Sequence, residues 1–256
     1  MSRKLKTLIS IAGSDPTGGA GIQADVRAGS AMGVHVLSAI TALTAQNSNG
    51  IRKIELVSPQ MLQAQLRSII EEVIPDSVKI GMIGSVKNLG IIVDFISALP
   101  KGTPVVVDPV LKSTAGDNSL FDDDNREMIK IYKEKLFPIV TVVTPNIPEL
   151  EILGDITELC QAIVIKGGHS SRDVIEDILL FKDSKVSHSH PRMKCGNLHG
   201  TGCVYSSILA SYLALGRSLE DAFVSTCSKM EEIISNSCDY SLGSSDYGPL
   251  NINNYL

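Results

Sequence analysis

The sequence predicts an α/β protein with a mainly parallel central sheet flanked by helices. Short apolar runs rich in β-branched residues alternate with longer helical stretches, which is typical of βα units around a parallel sheet. The chain has 256 residues, of which 43% are hydrophobic and 20% are charged, so it can bury a sizeable core. Because no internal repeat or low-complexity linker interrupts the pattern, we expect a single domain over residues 1–256.

The elements follow from the apolar runs and their spacing. Strands are predicted at 7–12, 38–44, 77–80, 105–107, 140–143 and 162–165. Helices are predicted at 21–32, 59–74, 85–99, 122–136, 148–160, 202–215 and 219–237. Residues 178–190 alternate loosely around an Asp-Ser turn, which predicts a hairpin at one sheet edge. The tail after about residue 239 has no clear period and is expected to be loose.

Composition excludes several classes of function. Lys plus Arg is 23 and Asp plus Glu is 28, so the net charge is −5, and aromatic residues are only 4%. These values argue against a nucleic-acid partner, and the apolar runs are too short for a membrane span. The five cysteines are an odd number with no Cys-x-x-Cys pair, which favours free thiols in a reducing cytoplasm and no structural zinc.

A glycine-rich loop follows the first predicted strand, from Ala12 to Asp25. Its glycines could let a ligand approach the backbone closely, although a strand-to-helix turn without a ligand is also open. Gly19, Gly21 and Ala24 formally satisfy the dinucleotide fingerprint. That fingerprint also needs an acid at the end of the second strand, where this chain has carboxamides. A dinucleotide-dependent dehydrogenase is therefore disfavoured.

Polar residues also follow the other strands. Gln46 and its neighbours suit hydrogen bonding to a heteroaromatic ring edge, and an Asn-Gly turn is the alternative. Asp108 can hold Mg²⁺ or cap a turn, and Asn146 and Glu149 can be oxygen ligands or a helix cap and first-turn acid. Lys166, followed by two glycines, could reach phosphates or be a surface lysine before a turn.

The segment His199-Gly-Thr-Gly-Cys203 opens a predicted helix. Free amides at a helix start can bind an oxyanion or a transferring phosphate. Cys203 falls in the first turn, where the helix field is expected to lower its thiol pKa; a small buried hydrophobe is the alternative. His199 is close in sequence but on the wrong side of a glycine turn to serve as a base for that thiol.

Seven segments together resemble the hydroxymethylpyrimidine/phosphomethylpyrimidine kinase family of thiamine biosynthesis, a branch of the ribokinase superfamily. They are residues 12–25, 41–47, 79–82, 107–110, 144–149, 164–169 and 199–203. They occur in order and cover nearly the whole chain, so together they are far more specific than any one motif. The resemblance implies a ribokinase-like three-layer sandwich that uses ATP and Mg²⁺.

The resemblance also assigns residues to roles. It implies a small-molecule pyrimidine substrate bound by Gly13, Asp25, Gln46, Met82 and Val110. The nucleotide would lie near Lys166, Asn146, Gly168 and Thr201. Asp108 and Glu149 would organise Mg²⁺ through water molecules. The Gly200, Thr201 and Gly202 amides would stabilise the transferring phosphoryl group, and Cys203 would accept the substrate proton late in the transfer.

The implied activity is ATP-dependent phosphorylation of 4-amino-5-hydroxymethyl-2-methylpyrimidine and then of its monophosphate. The alternatives are a pyridoxal or pyridoxine kinase of the same branch and a nucleotide-binding regulator without catalysis. Relatives also imply a homodimer. The chain departs from the family in a shortened segment between Pro148 and Lys166, and in lacking the histidine that often precedes the closing Gly-Pro.

Overall fold

The computed structural model describes residues 4–47, 50–111, 125–181, 184–242 and 247–253. Within these ranges, nine strands form one sheet. They are β1 Thr7–Ser14, β2 His35–Asn47, β3 Gly50–Leu56, β4 Ser77–Ile80, β5 Val105–Val107, β6 Val142–Val143, β7 Ala162–Ile165, β8 Val174–Phe181 and β9 Ser184–Pro191. The helices are α1 Gly21–Ala31, α2 Pro59–Ile70, α3 Val86–Ala98, α4 Asn125–Ile131, α5 Ile147–Leu153, α6 Thr201–Ala214 and α7 Leu219–Ser235.

The strand order is β3-β2-β1-β4-β5-β6-β7-β8-β9. Strands β2, β1, β4, β5, β6 and β7 run parallel to their neighbours, while β3 at one edge and β8 and β9 at the other pair antiparallel. The mainly parallel sheet is therefore confirmed. The predicted hairpin is also confirmed as β8 and β9, and the aspartate of its expected Asp-Ser turn lies outside the described residues.

Three strands, β4, β5 and β7, have the predicted bounds, and β1 and β2 extend further than predicted. Strand β3 was missed because it is an amphipathic edge strand: Arg52, Lys53 and Glu55 are exposed, so no apolar run marks it. Strand β6 is shorter than predicted. Of the helix predicted at 122–136, residues 122–124 lie outside the described ranges, and after α4 the chain continues as a π-helical turn at Tyr132–Leu136.

The helix predicted at 148–160 is wrong in length. Helix α5 begins with Pro in its first turn and ends at Gly154, whose φ of +66° is a left-handed conformation that favours glycine. Asp155 then accepts hydrogen bonds from the amide and hydroxyl of Thr157, which fixes a turn in place of a further helical turn. The segment continues only as the short 3₁₀ helix Thr157–Leu159.

Two cores fill the opposite faces of the sheet. Alternation along the strands separates them: Leu8 and Val106 face the layer of α1, α6 and α7, whereas Ile9 and Val107 face the layer of α2, α3 and α4. This is the predicted three-layer arrangement. In the tail, which is predicted to be loose, Leu250 is fully buried in the α6–α7 core, whereas Leu242 is 56% exposed.

Carboxyl ends of the parallel strands meet at one edge of the sheet, so the residues that follow them are brought together. Residue Asp15 follows β1, Gly81 follows β4, Asp108 follows β5 and Lys166 follows β7. Helix α6 packs on β1, β4 and β5 and begins at the same edge. No described helix is long and apolar enough to cross a membrane.

A fully buried ion pair connects four elements beneath this edge. Lys79 Nζ in β4 lies 2.9 and 2.8 Å from the two carboxylate oxygens of Asp25 in α1, and both side chains have no exposed surface. Ser10 of β1 and Ser207 of α6 donate hydrogen bonds of 2.5 and 2.7 Å to the same carboxylate. Burial would lower the pKa of Lys79, but the charge of Asp25 outweighs it and the pKa is raised, so the ammonium form persists.

We predict that Asp25→Asn lowers the free energy of unfolding by about 3–5 kcal/mol, because the substitution leaves the Lys79 ammonium buried without a counter-charge. Urea denaturation of the full chain measures it. The matched control is Arg67→Gln, which breaks a pair with Glu71 of 2.8 Å whose side chains are 79% and 62% exposed. That change is expected to cost less than about 1 kcal/mol. Equal losses in the two variants would contradict the prediction.

Candidate active site

A cavity of about 500 Å³ opens at the carboxyl edge of the sheet. Most residues predicted from the sequence line it. They are Gly13, Gln46, Met82, Asp108, Val110, Asn146, Glu149, Lys166, Gly168, Gly200, Thr201, Gly202 and Cys203. Residues that are far apart in sequence thus share one cavity, at the position where open α/β sheets bind ligands.

Asp25 has a different place from the one expected. Its side chain is completely buried, and its carboxylate is bonded by Lys79, Ser10 and Ser207 rather than facing the cavity. The prediction that Asp25 contacts the pyrimidine is therefore corrected: Asp25 is a structural residue under the cavity floor. The physical reason is that its helix, α1, turns Asp25 toward the buried Lys79, while residues earlier in the glycine loop line the cavity.

One end of the cavity is built on the start of α6. Gly200 caps this helix with a φ of +80°, and a β-carbon there would overlap the carbonyl oxygen of Gly19. A β-carbon at Gly202 would lie 3.3 Å from Lys166 Nζ and 3.4 Å from Asp108 Oδ2. The helix start, an ammonium and a carboxylate therefore converge. The positive end of a helix and a cation at one point suit a phosphoryl group.

Lys166 and Asp108 form a close pair in this end of the cavity. Lys166 Nζ donates to Asp108 Oδ1 at 2.7 Å. Burial would lower the pKa of Lys166, but the charges of Asp108 and Glu149 outweigh it and raise the pKa, so the side chain stays an ammonium ion. Of the two alternatives left open for Lys166, the structure excludes the exposed surface lysine, because only 12% of the side chain is exposed.

Asn146 and Glu149 form a capping box at the start of α5. Asn146 Oδ1 accepts from the amide of Glu149, and Glu149 Oε2 accepts from the amide of Asn146, each at 2.9 Å. The helix-cap alternative is thus confirmed, although both residues also line the cavity. Burial raises the pKa of Glu149, and the neighbouring Asp108 raises it further, while Lys166 opposes the shift.

The donor set fits a hydrated magnesium ion better than an all-protein metal site. Within the described ranges, no group of three or more His, Cys, Asp and Glu side chains is placed to hold a metal ion by itself. Asp108 Oδ2 faces Gly202, while both the Asn146 and the Leu111 amides bond to the Glu149 carboxylate. Mg²⁺ accepts such a site because it keeps several waters and is completed by substrate phosphates.

Cys203 does not have the lowered pKa predicted from its place in the helix. Burial raises the pKa of the thiol to about 11, and the charges of Asp25 and Asp108 add to this effect. Lys79 and a hydrogen bond from the Gly21 amide lower it, but they do not compensate. At neutral pH the group is a thiol, since its charged form is disfavoured by burial and by two carboxylates.

The other end of the cavity is apolar around a few polar groups. Gly13 lies against Met82, whose sulfur would be 3.0 Å from a β-carbon at position 13. Gln46 reaches into the cavity from the end of β2, between Thr44 Oγ1 at 3.5 Å and His199 Nε2 at 3.4 Å. A flat apolar slot with one carboxamide is suited to a small heteroaromatic ring.

Sequence reasoning missed other residues of the cavity wall. Asp15 and His199 form a buried pair, with His199 Nε2 2.8 Å from Asp15 Oδ2. Asp177 of the hairpin accepts a 2.7 Å bond from the Gly167 amide and so holds the turn after Lys166. Asp15 and His199 each lie in a motif that is visible in the sequence. They are 184 positions apart, and only the fold brings them together. The hairpin carries no motif that marks a site.

A family model described as phosphomethylpyrimidine kinase matches residues 15–251, or 237 of the 256 residues. The chain belongs to this kinase family. A hydroxymethylpyrimidine/phosphomethylpyrimidine kinase of Staphylococcus aureus strain Mu50 is 33% identical over 93% of this chain and 89% of the relative. The family resemblance drawn from the motifs is therefore confirmed, and the chain is a phosphotransferase.

Solved structures agree with this assignment. The phosphomethylpyrimidine kinase of Clostridium difficile 630 superposes with a TM-score of 0.75 at 33% identity, covering 90% of this chain and 99% of that one. The pyridoxal kinase of Staphylococcus aureus in complex with AMP-PCP and pyridoxal superposes with a TM-score of 0.84 at 24% identity, covering 99% and 95%. The second similarity shows the shared fold, which confirms the ribokinase-like architecture of this kinase. ATP use by the chain is supported by its family.

We predict that Cys203 of this kinase alkylates slowly at neutral pH and that its rate rises with a midpoint near pH 11, because only the thiolate reacts and the thiol pKa is raised to about 11. Iodoacetamide labelling of the full chain, read by mass spectrometry of the Cys203 peptide, measures the profile. A small-molecule thiol in the same reaction is the reference for reagent reactivity. A midpoint at or below that of the free thiol would show that the helix field dominates.

Proposed function

We propose that this kinase acts twice at one cavity. It first transfers the γ-phosphoryl group of ATP to 4-amino-5-hydroxymethyl-2-methylpyrimidine, and then transfers another to the resulting monophosphate. The name of the Staphylococcus aureus relative supports both acceptors, and the name of the Clostridium difficile structure supports the monophosphate. A multifunctional thiamine biosynthesis protein of Corynebacterium efficiens, 35% identical over 84% of this chain, supports a place in thiamine biosynthesis.

The observation that carries the proposal is that the two ends of the cavity have complementary chemistry. Gln46 and Met82 offer a carboxamide and an apolar wall for a ring. At the other end, Lys166 and the amides at the start of α6 offer positive charge to a phosphoryl group. A ring bound at Gln46 with its hydroxymethyl group directed toward Gly202 would place the acceptor oxygen beside the transferring group.

In the first transfer, the hydroxymethyl oxygen forms a bond to the γ-phosphorus while the bond from that phosphorus to the bridging oxygen of ADP breaks. The O–H bond of the acceptor breaks and its C–O bond stays intact. ADP departs with the bridging oxygen. Because the transition state of phosphoryl transfer is loose, charge neutralisation and alignment supply most of the acceleration. Lys166 and the amides of Gly200 and Gly202 are the groups proposed for this task, because the Thr201 amide, also predicted from the sequence, already donates to Leu198 O at 3.3 Å.

Cys203 is proposed to contact the acceptor oxygen as a neutral thiol. A thiol already holds its proton, so it cannot take the hydroxyl proton unless it first loses its own, which its raised pKa disfavours. The proton therefore leaves late, to a phosphoryl oxygen or to water. The role that the resemblance gave to Cys203, proton acceptor, is in this proposal replaced by a packing and hydrogen-bonding role.

Magnesium is proposed to bind at Asp108, with Glu149 ordering its water ligands. Bound there, the ion would neutralise charge on the nucleotide phosphates. Asp108 Oδ1 is bonded to Lys166, so Oδ2 is the oxygen offered to the ion. The homodimer stays a prediction; exposed Leu43 in β2 and Leu56 in β3 place apolar surface on the edge ribbon, where a second copy could pack.

An ADP-release assay tests the function. We expect turnover with the pyrimidine alcohol and with its monophosphate, each exceeding turnover with pyridoxal by about 10-fold or more in kcat/KM, because a site that bonds an amino group and a ring nitrogen rejects a ring lacking that pair. The control omits the acceptor and measures ATP hydrolysis alone. Faster phosphorylation of pyridoxal would assign the alternative function, and binding of nucleotide without turnover on any acceptor would indicate a regulator.

A second variant tests the magnesium assignment. Asp108→Asn is expected to raise the Mg²⁺ concentration for half-maximal activity by about 10-fold, because a neutral amide is a weaker ligand for a hard cation. Magnesium titrations at saturating ATP and acceptor measure this. Glu151→Gln in the same helix as Glu149 is the control, since Glu151 is exposed and lies outside the cavity. An unchanged magnesium requirement in Asp108→Asn would remove Asp108 from the metal site.

A further inference from the structure

His199 is held firmly in the wall of the substrate end of the cavity. It is 4% exposed, and its amide donates to Gly248 O at 3.0 Å. Its ring lies against Tyr247, with ring centroids 5.8 Å apart at an angle of 57°. Nδ1 is buried and has no hydrogen-bond partner among the residues that the structure describes, and Nε2 lies between Asp15 and Gln46. The proposed function gives this histidine no role.

The proton on Nε2 is fixed by Asp15. The Asp15 carboxylate accepts from the Thr17 amide on Oδ1 and from the Ala20 amide on Oδ2, each at 2.9 Å. Burial raises the pKa of Asp15, but the hydrogen bonds from His199 and Thr17 outweigh it and the pKa is lowered. Because an ionised carboxylate is acceptor-only, the 2.8 Å contact requires that His199 Nε2 carries hydrogen and donates it.

This proton constrains the carboxamide of Gln46. The oxygen and nitrogen of an amide have nearly the same shape, so their assignment follows from the hydrogen-bond network. The structure places Gln46 Nε2 3.4 Å from His199 Nε2, a nitrogen that carries hydrogen, and Gln46 Oε1 toward Thr44; the hydrogen-bond network requires these two amide atoms to exchange places. A second N–H group at that position would place two donors face to face. The carbonyl oxygen is the atom that satisfies the contact.

The contact on the opposite side of the Gln46 amide independently leads to the same assignment of its oxygen and nitrogen. Thr44 Oγ1 is 2.8 Å from Ser14 O, an acceptor only, so the single hydroxyl hydrogen is used there. Toward Gln46, 3.5 Å away, the hydroxyl can then only accept. The Gln46 atom facing Thr44 must therefore be the amino nitrogen. Both neighbours select one orientation of the amide.

We propose that His199, oriented by Asp15, is a positioning residue for substrate selection: it fixes the Gln46 carboxamide with its oxygen toward His199 and its amino group toward Thr44. The inference deepens the proposed function and rests on Gln46 binding the ring. Held in this way, Gln46 presents one acceptor, a carbonyl lone pair, and one donor, its second N–H hydrogen, to the bound ring at fixed positions. An aminopyrimidine offers the matching pair, an amino donor beside a ring-nitrogen acceptor. A pyridine alcohol such as pyridoxal has no amino group beside its ring nitrogen.

Three substitutions at two positions test the role. His199→Phe keeps a ring without a donor, His199→Gln keeps an N–H near the place of Nε2, and Gln46→Met removes the carboxamide. We expect His199→Phe to raise KM for the pyrimidine alcohol about 10-fold, with KM for ATP unchanged, and to reduce selectivity over pyridoxal by a similar factor. His199→Gln should stay within about 3-fold of the parent protein. His35→Gln, at an exposed position on β2, is the control for a histidine change.

The double variant separates positioning from direct contact. If His199 acts through Gln46, adding His199→Phe to Gln46→Met should change KM by less than about 2-fold, because the group being positioned is already absent. Additive effects, or equal losses for pyrimidine and pyridoxal, would overturn the proposal. Thermal unfolding of each variant identifies a loss that comes from misfolding.

One measurement is independent of catalysis. NMR of the ¹⁵N-labelled full chain should find hydrogen on His199 Nε2 and a contact from the Gln46 amino hydrogens to the Thr44 side chain. Hydrogen only on Nδ1, or Gln46 amino hydrogens facing the His199 ring, would overturn the proposal whatever the substrate is. Conversely, failure to phosphorylate the pyrimidine with this network intact would overturn the proposed function and leave the orientation of Gln46 standing.

Discussion

The buried pair of Lys79 and Asp25 is the constraint on which the site depends. Its four hydrogen bonds join β1, α1, β4 and α6, the elements whose ends form the cavity. A buried charge that loses its partner costs several kcal/mol. These four elements are therefore stable only in the relative position that keeps Lys79 and Asp25 together. That position sets where α6 begins relative to the glycine loop. The resulting approach is so close that neither Gly19 nor Gly200 has room for a β-carbon.

Much of the fold could be predicted from the sequence because buried parallel strands consist of runs of apolar residues. Strands β4 and β5 are completely buried, β7 is buried except at Ile165, and all three have the predicted bounds. Prediction failed where burial does not mark the element, as in the polar edge strand β3, and where a local turn overrides helix-forming residues, as after Gly154. Leu250 in the tail is buried without belonging to any periodic pattern, so its packing could not be predicted from the sequence.

The site was predicted less evenly, because a motif gives the position of a residue and not the direction of its side chain. Asp25 ends the most recognisable motif, yet it lies in α1 and its side chain faces the buried Lys79. Cys203 lies at a helix start, which favours a thiolate, but burial and two carboxylates reverse the effect. Both errors come from weighing one local interaction where several long-range ones compete. The pairing of Asp15 with His199 is of the same kind, since only the folded chain brings them together.

Two lysines of the cavity region, Lys79 and Lys166, show how a chain of net charge −5 can hold phosphates. Lys79 is neutralised by both oxygens of Asp25 and has no exposed surface, so its charge stabilises the fold. Lys166 shares only one oxygen of Asp108 and remains accessible in the cavity. In the proposed reaction, the Lys166 ammonium would turn from Asp108 to an entering phosphate, and the Asp108 carboxylate would then be available to hold a divalent ion. Ion and nucleotide would then strengthen each other's binding, since each supplies the charge that the other displaces.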